Sequence, residues 1–440
     1  DTKAVNKAIT RLRAIENCQI GAIILVPNLD IREVTEIFVR INSQGKRLNE
    51  SDFVMSKIAA DNKYGGNMLR KVVDYFCHLA IEPNFFSQLS TTDKEFMNSE
   101  YADKLAWLKD DRETIYDPDY SDMLRVSFMH QFGRGKLGDL VSLLSGRDFE
   151  NRIYKEEIAE ESFAQLRTGI LNFINKYNYE SFVLTIKSLG FISNRLLNSM
   201  MTLDFAYNLF LLLNSSNEIP KIEIKRYVQK WFLLSTLTSR YITSPESQMD
   251  RDIRAIQSKG FKQFFGENEE AQLSETFWNV GLVQNLETSS ITSPYFNTYI
   301  AAQIFNGERS LLSNSSKVSD LISTMGDVHH IFPKEYLKQN GITDKSTYNQ
   351  VANFAYLDKA VNISIGKQAP CEYFKDAKLQ CENGEVKIGT ITDTQSYYNN
   401  LQLNCIPQNI DEMDYNNYQE FLSERRKMMA NKIKNFYYSL

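Results

Sequence analysis

Val328-His329-His330-Ile331-Phe332-Pro333 sets two of the chain's four histidines side by side. Neighbouring side chains of a strand point to opposite faces, so adjacent histidines share a site only where the strand ends or bends, and Pro333 supplies that end. Residues 351–357 read as a second strand containing Asn353. Asp358 then stands at the N-cap position of a helix that carries Asn362 and leads to Lys367. Strand, strand and helix bring His329, His330, Asn353, Asn362 and Lys367 into one small unit. That unit suits phosphodiester hydrolysis: a neutral imidazole deprotonates water near pH 7, and a nitrogen and oxygen ligand pair holds a hard divalent ion on the scissile phosphate.

Outward from this unit the chain reads as helix. No proline falls between Pro118 and Pro220, and the whole sequence holds only Gly 19 and Pro 9 in 440 residues, so chain breakers are scarce. Ile224, Tyr227, Val228, Trp231, Leu234, Thr238 and Tyr241 recur at spacings of three and four, which builds one apolar stripe for core packing. Near the start, residues 20–26 read as a short strand, 31–41 as a helix, 42–45 as a turn, and 51–60 as a helix with Ser51 at its N-cap. Ser244-Pro245 and the stretch 289–294 are the linker candidates by composition. The domain division is 1–60, a helical middle at 61–295, and 296–440. No internal repeat or low-complexity tract is visible.

Charge and composition narrow the classes. With Lys+Arg 50 against Asp+Glu 55, the net charge of -5 gives no global attraction to phosphate or anionic lipid, so any nucleic-acid contact is a local patch. One candidate is the carboxyl-terminal stretch 422–440, where Arg425, Arg426, Lys427, Lys432 and Lys434 face only Glu424. Leu422, Met429, Ile433 and Phe436 repeat there at helical spacing, so the same helix must also pack. The five cysteines are spread and form no C-x-x-C, which points to a reducing cytoplasm. The most apolar stretch, 205–213, is too short to span a bilayer, and the chain opens Asp1-Thr2-Lys3 as if cut from something longer. Gly133-Arg134-Gly135-Lys136-Leu137-Gly138 spells G-x-G-x-x-G, yet without the preceding buried strand a dinucleotide fold requires; it reads as a flexible basic loop between helices. The acidic segment 110–122 lacks the glycine and terminal glutamate of a calcium loop and reads as a solvated loop.

Three separated pieces carry a family resemblance. His329-His330-Ile331-Phe332-Pro333, Asn353-Phe354-Ala355-Tyr356-Leu357 and Asn362-Ile363-Ser364-Ile365-Gly366-Lys367 together resemble the HNH, or His-Me finger, motif of the GmrD half of GmrSD-type restriction endonucleases. Residues 38–48, Phe-Val-Arg-Ile-Asn-Ser-Gln-Gly-Lys-Arg-Leu, resemble the motif near the end of the GmrS-type domain, a ParB and sulfiredoxin-like fold that stands upstream of that nuclease. By position the resemblance implies His330 as general base, His329 and Asn362 as ligands of Mg2+ or Mn2+, Asn353 as the residue that fixes the turn and orients the base, and Lys367 near the phosphate. Two departures stand out. The first ligand position is more often Asp, and His329 in its place removes a negative charge. The upstream Asp-Gly-Gln-Gln-Arg signature, linked in the family to nucleotide binding and hydrolysis, is absent, so no nucleotide site is assigned.

The expectation is therefore a mainly α chain with a small α+β (ββα-metal, HNH) nuclease domain at the C-terminal end. It is a cytoplasmic, metal-dependent DNA endonuclease, implied by the resemblance to serve bacterial restriction of phage or modified DNA. Its partner is DNA, contacted by Arg425, Arg426 and Lys432, with a homo-oligomer open and no membrane association. The reading from a different class is a non-catalytic DNA-binding or sensor module whose histidine site is structural; structural zinc generally wants four Cys or His ligands, and no cysteine lies near the pair before Cys371.

Overall fold

A computed structural model describes residues 2–16, 24–26, 37, 49–110, 115–324 and 328–440. The chain divides into two compact units, 1–53 and 54–440. In the first, Thr2–Ile15 is helical and residues 24–26 lie in no regular element. The remainder of the strand expected at 20–26, the turn at 42–45, the motif at 38–48 and nearly all of the helix expected at 31–41 lie outside the described residues. The helix Glu50–Ala60 starts one residue before the expected cap. Asn49 takes that role: its Oδ1 accepts from Asp52 N–H at 2.9 Å while Asp52 Oδ2 accepts from Asn49 N–H at 2.8 Å.

Residues 54–440 are mostly helical, as the scarcity of breakers predicts. The stripe on Lys221–Leu237 is buried at Ile224, Val228, Trp231 and Leu234, and the apolar run at 205–213 lies inside Met200–Ser215. Among the described residues no helix is long and apolar enough to cross a membrane. Asp204, wholly buried in that helix, receives Arg125 Nη1 at 2.7 Å and Tyr116 Oη at 3.0 Å, and Arg125 also reaches Asp122 at 3.3 Å. One guanidinium thus serves two carboxylates. Burial, with Asp204 beside it, pushes the Asp122 carboxyl up.

Several expectations for this region are corrected. The described part of the acidic segment is not a solvated loop: Ile115 and Tyr116 are buried, and Asp119 and Asp122 form the capping box of Tyr120–Phe132. The glycine-rich loop is docked rather than free. Gly133, at φ 61, ends that helix, Gly135 N–H donates to Asp250 Oδ1 at 3.0 Å, and a Cβ on Gly135 would meet the Asp250 backbone nitrogen at 2.3 Å. Acidic side chains hold N–H groups that a phosphate would need. Pro245 and Pro294 open the helices Pro245–Lys259 and Pro294–Phe305 at their first turns, where a missing N–H costs nothing; the residues just before each, 238–244 and 287–293, are irregular, so the chain breaks where the composition indicates. The Pro294–Phe305 helix packs against both Lys221–Leu237 and Tyr418–Ser439, and the chain is continuous in packing across residue 295.

The one sheet among the described residues has two antiparallel strands, β1 (Val328–His330) and β2 (Phe354–Tyr356), with His329 opposite Ala355 and His330 opposite Phe354. β2 is shorter than the expected 351–357 because Val351–Asn353 form a 3-10 turn. The helix Lys359–Ile365 follows, and Gly366 at φ 56 ends it. Asp358 precedes it without capping: its Oδ1 instead accepts from Ser316 Oγ at 2.9 Å.

Candidate functional site

The β1–β2 hairpin and the helix after it bring two of the five expected site residues, His329 and Asn362, into contact. His329 and His330 leave β1 on opposite faces, as strand geometry demands. His329 is 4% exposed, and its Nδ1 lies 2.6 Å from Asn362 Oδ1 on the following helix. Its Nε2 is buried with no hydrogen-bond partner, and burial pushes the imidazole down to about 4. His329 is therefore neutral through the physiological range.

His330 is half-buried and stands edge-on to Phe354, with ring centroids 4.9 Å apart. Its Nε2 meets Asn349 Oδ1 at 2.8 Å. An amide oxygen has no proton to give, so this contact places the proton on Nε2 and leaves Nδ1 as the basic nitrogen. Burial lowers the imidazole's pKa, Asn349 partly opposes that, and the charge of Lys334 adds to it. The result is an imidazole that is neutral near pH 7, the state a general base requires. Asn349 and Lys334 were not singled out by sequence. Nothing in the loop before Val351 marks Asn349, whereas a lysine directly after Pro333 is a cation one turn from the histidines and could have been noted.

Asn353 sits behind the site. It is wholly buried; Oδ1 accepts from Phe332 N–H at 2.8 Å, and Nδ2 donates to Phe332 O at 3.1 Å and Tyr348 O at 3.2 Å. Its bonds to Phe332 and Tyr348 all go to backbone, and the Tyr418 hydroxyl lies beside it, so it is a positioning residue and not a catalytic one. Tyr373 Oη adds a 2.7 Å bond to Ile331 O. Together they fix the chain as it leaves β1. Lys367, just past Gly366, is exposed and makes no hydrogen bond or ion pair with another described residue.

The basic helix Tyr418–Ser439 does not present the expected DNA contacts. Arg425 is 0% exposed: Nη1 donates to Ala352 O at 2.8 Å and Phe354 O at 2.7 Å, and Nη2 to Asn404 O at 3.2 Å. It clamps the start of β2 from behind and cannot reach a phosphate. The signal was in the sequence, since Arg425 falls three residues after Leu422 and four before Met429, on the stripe that packs. Arg426, its side chain 11% exposed, pairs with Glu287, and Lys432 pairs with the buried Glu308. These two charges are taken up within the chain.

A bound divalent ion is implied by the resemblance, and His329 and Asn362 are the residues that would hold it. Two ligands at right angles on an ion with bonds of about 2.1 Å stand about 3.0 Å apart; the amide oxygen puts the proton of His329 on Nδ1, so holding an ion between Nδ1 and Asn362 Oδ1 would require that proton to move to Nε2, which has no hydrogen-bond partner. Among the described residues no group of three or more His, Cys, Asp or Glu side chains gathers to hold a metal. The pair is one imidazole and one amide, both neutral, which leaves the remaining positions to water and phosphate oxygens. No family model, curated protein or solved structure matches this chain.

Proposed function

We propose that the chain is a divalent-metal-dependent DNA endonuclease of the HNH type. The observations that support this reading are a neutral imidazole, His330, at the end of β1 with its Nε2 held by Asn349, and, from the neighbouring position on the strand, His329 meeting Asn362. Asn353 and Tyr373 hold the backbone that sets the angle of the base. In the proposed reaction His330 Nδ1 takes a proton from water as the water attacks phosphorus in line with the departing 3′ oxygen, yielding 5′ phosphate and 3′ hydroxyl ends. His329 and Asn362 are the residues that would hold Mg2+ or Mn2+, which would supply positive charge at the phosphate. Lys334 and Lys367 contribute further positive charge around the phosphate. The motif resemblance to GmrSD-type enzymes supports a role in bacterial restriction.

A specific observation favours a second reading, a DNA-binding or sensor module with a structural histidine site: His329 is almost wholly buried and already hydrogen-bonded to Asn362. Supercoiled plasmid separates the two. Nicking with Mg2+ or Mn2+ that a chelator abolishes supports the nuclease; tight DNA binding with no cleavage under any divalent ion overturns it.

A further inference from the structure

A cleft of about 670 Å3 opens between the helices Thr394–Leu403 and Tyr418–Ser439, and none of the histidine-site residues lines it. Asn399 and Gln402 are three residues apart on the first helix, and Asn431 and Asn435 are four apart on the second, so each pair shares a helix face. Both pairs line the same space. The side chains of Gln402, Asn431 and Asn435 make no hydrogen bond to another described residue, and Asn399 Oδ1 accepts only from Gln395, at 3.0 Å. Leu403, Met428 and Phe436 give the cleft its apolar surface.

The electrostatics of the lining are specific. No carboxylate lines the cleft, so no negative charge there draws in a cation. Its one charged side chain, Lys432, is bound to Glu308, a buried carboxylate that also accepts from Asn306 Nδ2 at 3.2 Å. That ammonium is neutralised in place and offers little to a phosphate. What remains is a volume within the ordinary ligand range, with amides on two walls, each carrying one acceptor and two donor hydrogens, and aliphatic surface between them.

We propose that this cleft binds a nucleobase. Base edges carry donors and acceptors side by side, the pattern that a carboxamide matches in pairs, and base faces are flat and apolar enough to lie on Leu403 and Met428. A neutral heterocycle uses both properties of the lining, whereas an ion uses neither. The base comes either from a free nucleoside or from a nucleic-acid strand; the inference concerns the shared chemistry and does not depend on the chain being a nuclease.

The test is calorimetric titration of the full chain with adenosine, guanosine, cytidine and thymidine, beside a single-stranded oligonucleotide and the same oligonucleotide with abasic positions. At least one nucleoside or the intact oligonucleotide should bind saturably, and Gln402→Leu and Asn435→Leu should each weaken that binding at least 10-fold. Both residues are exposed, so the two variants should melt as the parent does. Tighter binding of the intact than of the abasic strand assigns the base to a strand; saturable nucleoside binding with equal affinity for the two strands assigns it to a free nucleoside. No binding by any base, base binding undiminished in both variants, or binding of methyl glucoside with every base silent overturns the proposal. Plasmid cleavage by the unaltered chain, read separately, tests the nuclease reading alone.

Discussion

Replacing Asn353 with alanine tests how the hairpin holds its base. The carboxamide is wholly buried and makes three hydrogen bonds to backbone. Tyr348 O keeps a second donor in Tyr418 Oη at 3.4 Å, but Asn353 Oδ1 is the acceptor that the structure gives Phe332 N–H. Stranding one buried N–H costs about 1–3 kcal/mol, and losing the two bonds to carbonyls adds about 1 kcal/mol each, so Asn353→Ala should destabilise the hairpin by roughly 3–5 kcal/mol. Asn353→Asp keeps the acceptor for Phe332 but turns a carboxylate oxygen on two carbonyls. It should also destabilise, and acidification, which restores a donor O–H, should recover part of the loss. Hydrogen exchange at the Phe332 amide reads the cost locally, without assuming that so large a unit unfolds in one step. Exchange at Phe332 slowed or unchanged in Asn353→Ala, or a loss below about 1 kcal/mol, would refute the reasoning.

Three further outcomes follow from other contacts. Burial holds the His329 imidazole at about 4 in the folded chain against an ordinary 6.5. Below pH 6.5 the unfolded chain takes a proton that the folded chain refuses, so stability is full above that pH and falls by up to about 3 kcal/mol toward pH 4; in chelator, His329→Gln should flatten this part of the pH–stability curve, and an identical curve would contradict the assignment. Arg425→Met should lower the melting temperature while leaving the salt dependence of DNA affinity as it was, because the guanidinium holds Ala352 O and Phe354 O and not a phosphate; a flatter salt slope with intact stability would show the reverse. Asn362→Ala removes one of two neutral donors and should raise the Mg2+ or Mn2+ concentration needed for half-maximal cleavage; an unmoved titration would make Asn362 a packing partner of His329 only.

What could be read from the sequence was set by the range over which each signal acts. The scarcity of breakers and the stripe from Ile224 to Tyr241 act locally, and the helical body follows from them. The juxtaposition of His329 with Asn362 was legible because strand, strand and helix follow one another in a short segment, so spacing alone brings them together. Asn349 was not legible, since its role depends on where a loop passes over His330 rather than on any period. Arg425 was misread through its charge: a basic residue on an otherwise charged helix suggests a solvent-facing phosphate contact, while its position on the apolar stripe determines that it is buried. The breaks before Pro245 and Pro294 were legible because proline is tolerated in a first helical turn and excluded from a helix interior, so each marks where one helix has ended and the next begins.

In the proposed reaction His330 acts as general base on the phosphodiester. Conversion of supercoiled plasmid to nicked and linear forms, measured with Mg2+ or Mn2+ for the unaltered chain and for His330→Ala, tests it most directly, with circular dichroism to confirm that both are folded. A positioned base contributes about 10²–10⁴ to rate, so the account predicts metal-dependent cleavage by the unaltered chain and a loss of about 10²-fold or more in His330→Ala. Cleavage by His330→Ala at the unaltered rate, or no cleavage by the folded unaltered chain with either ion, would contradict it.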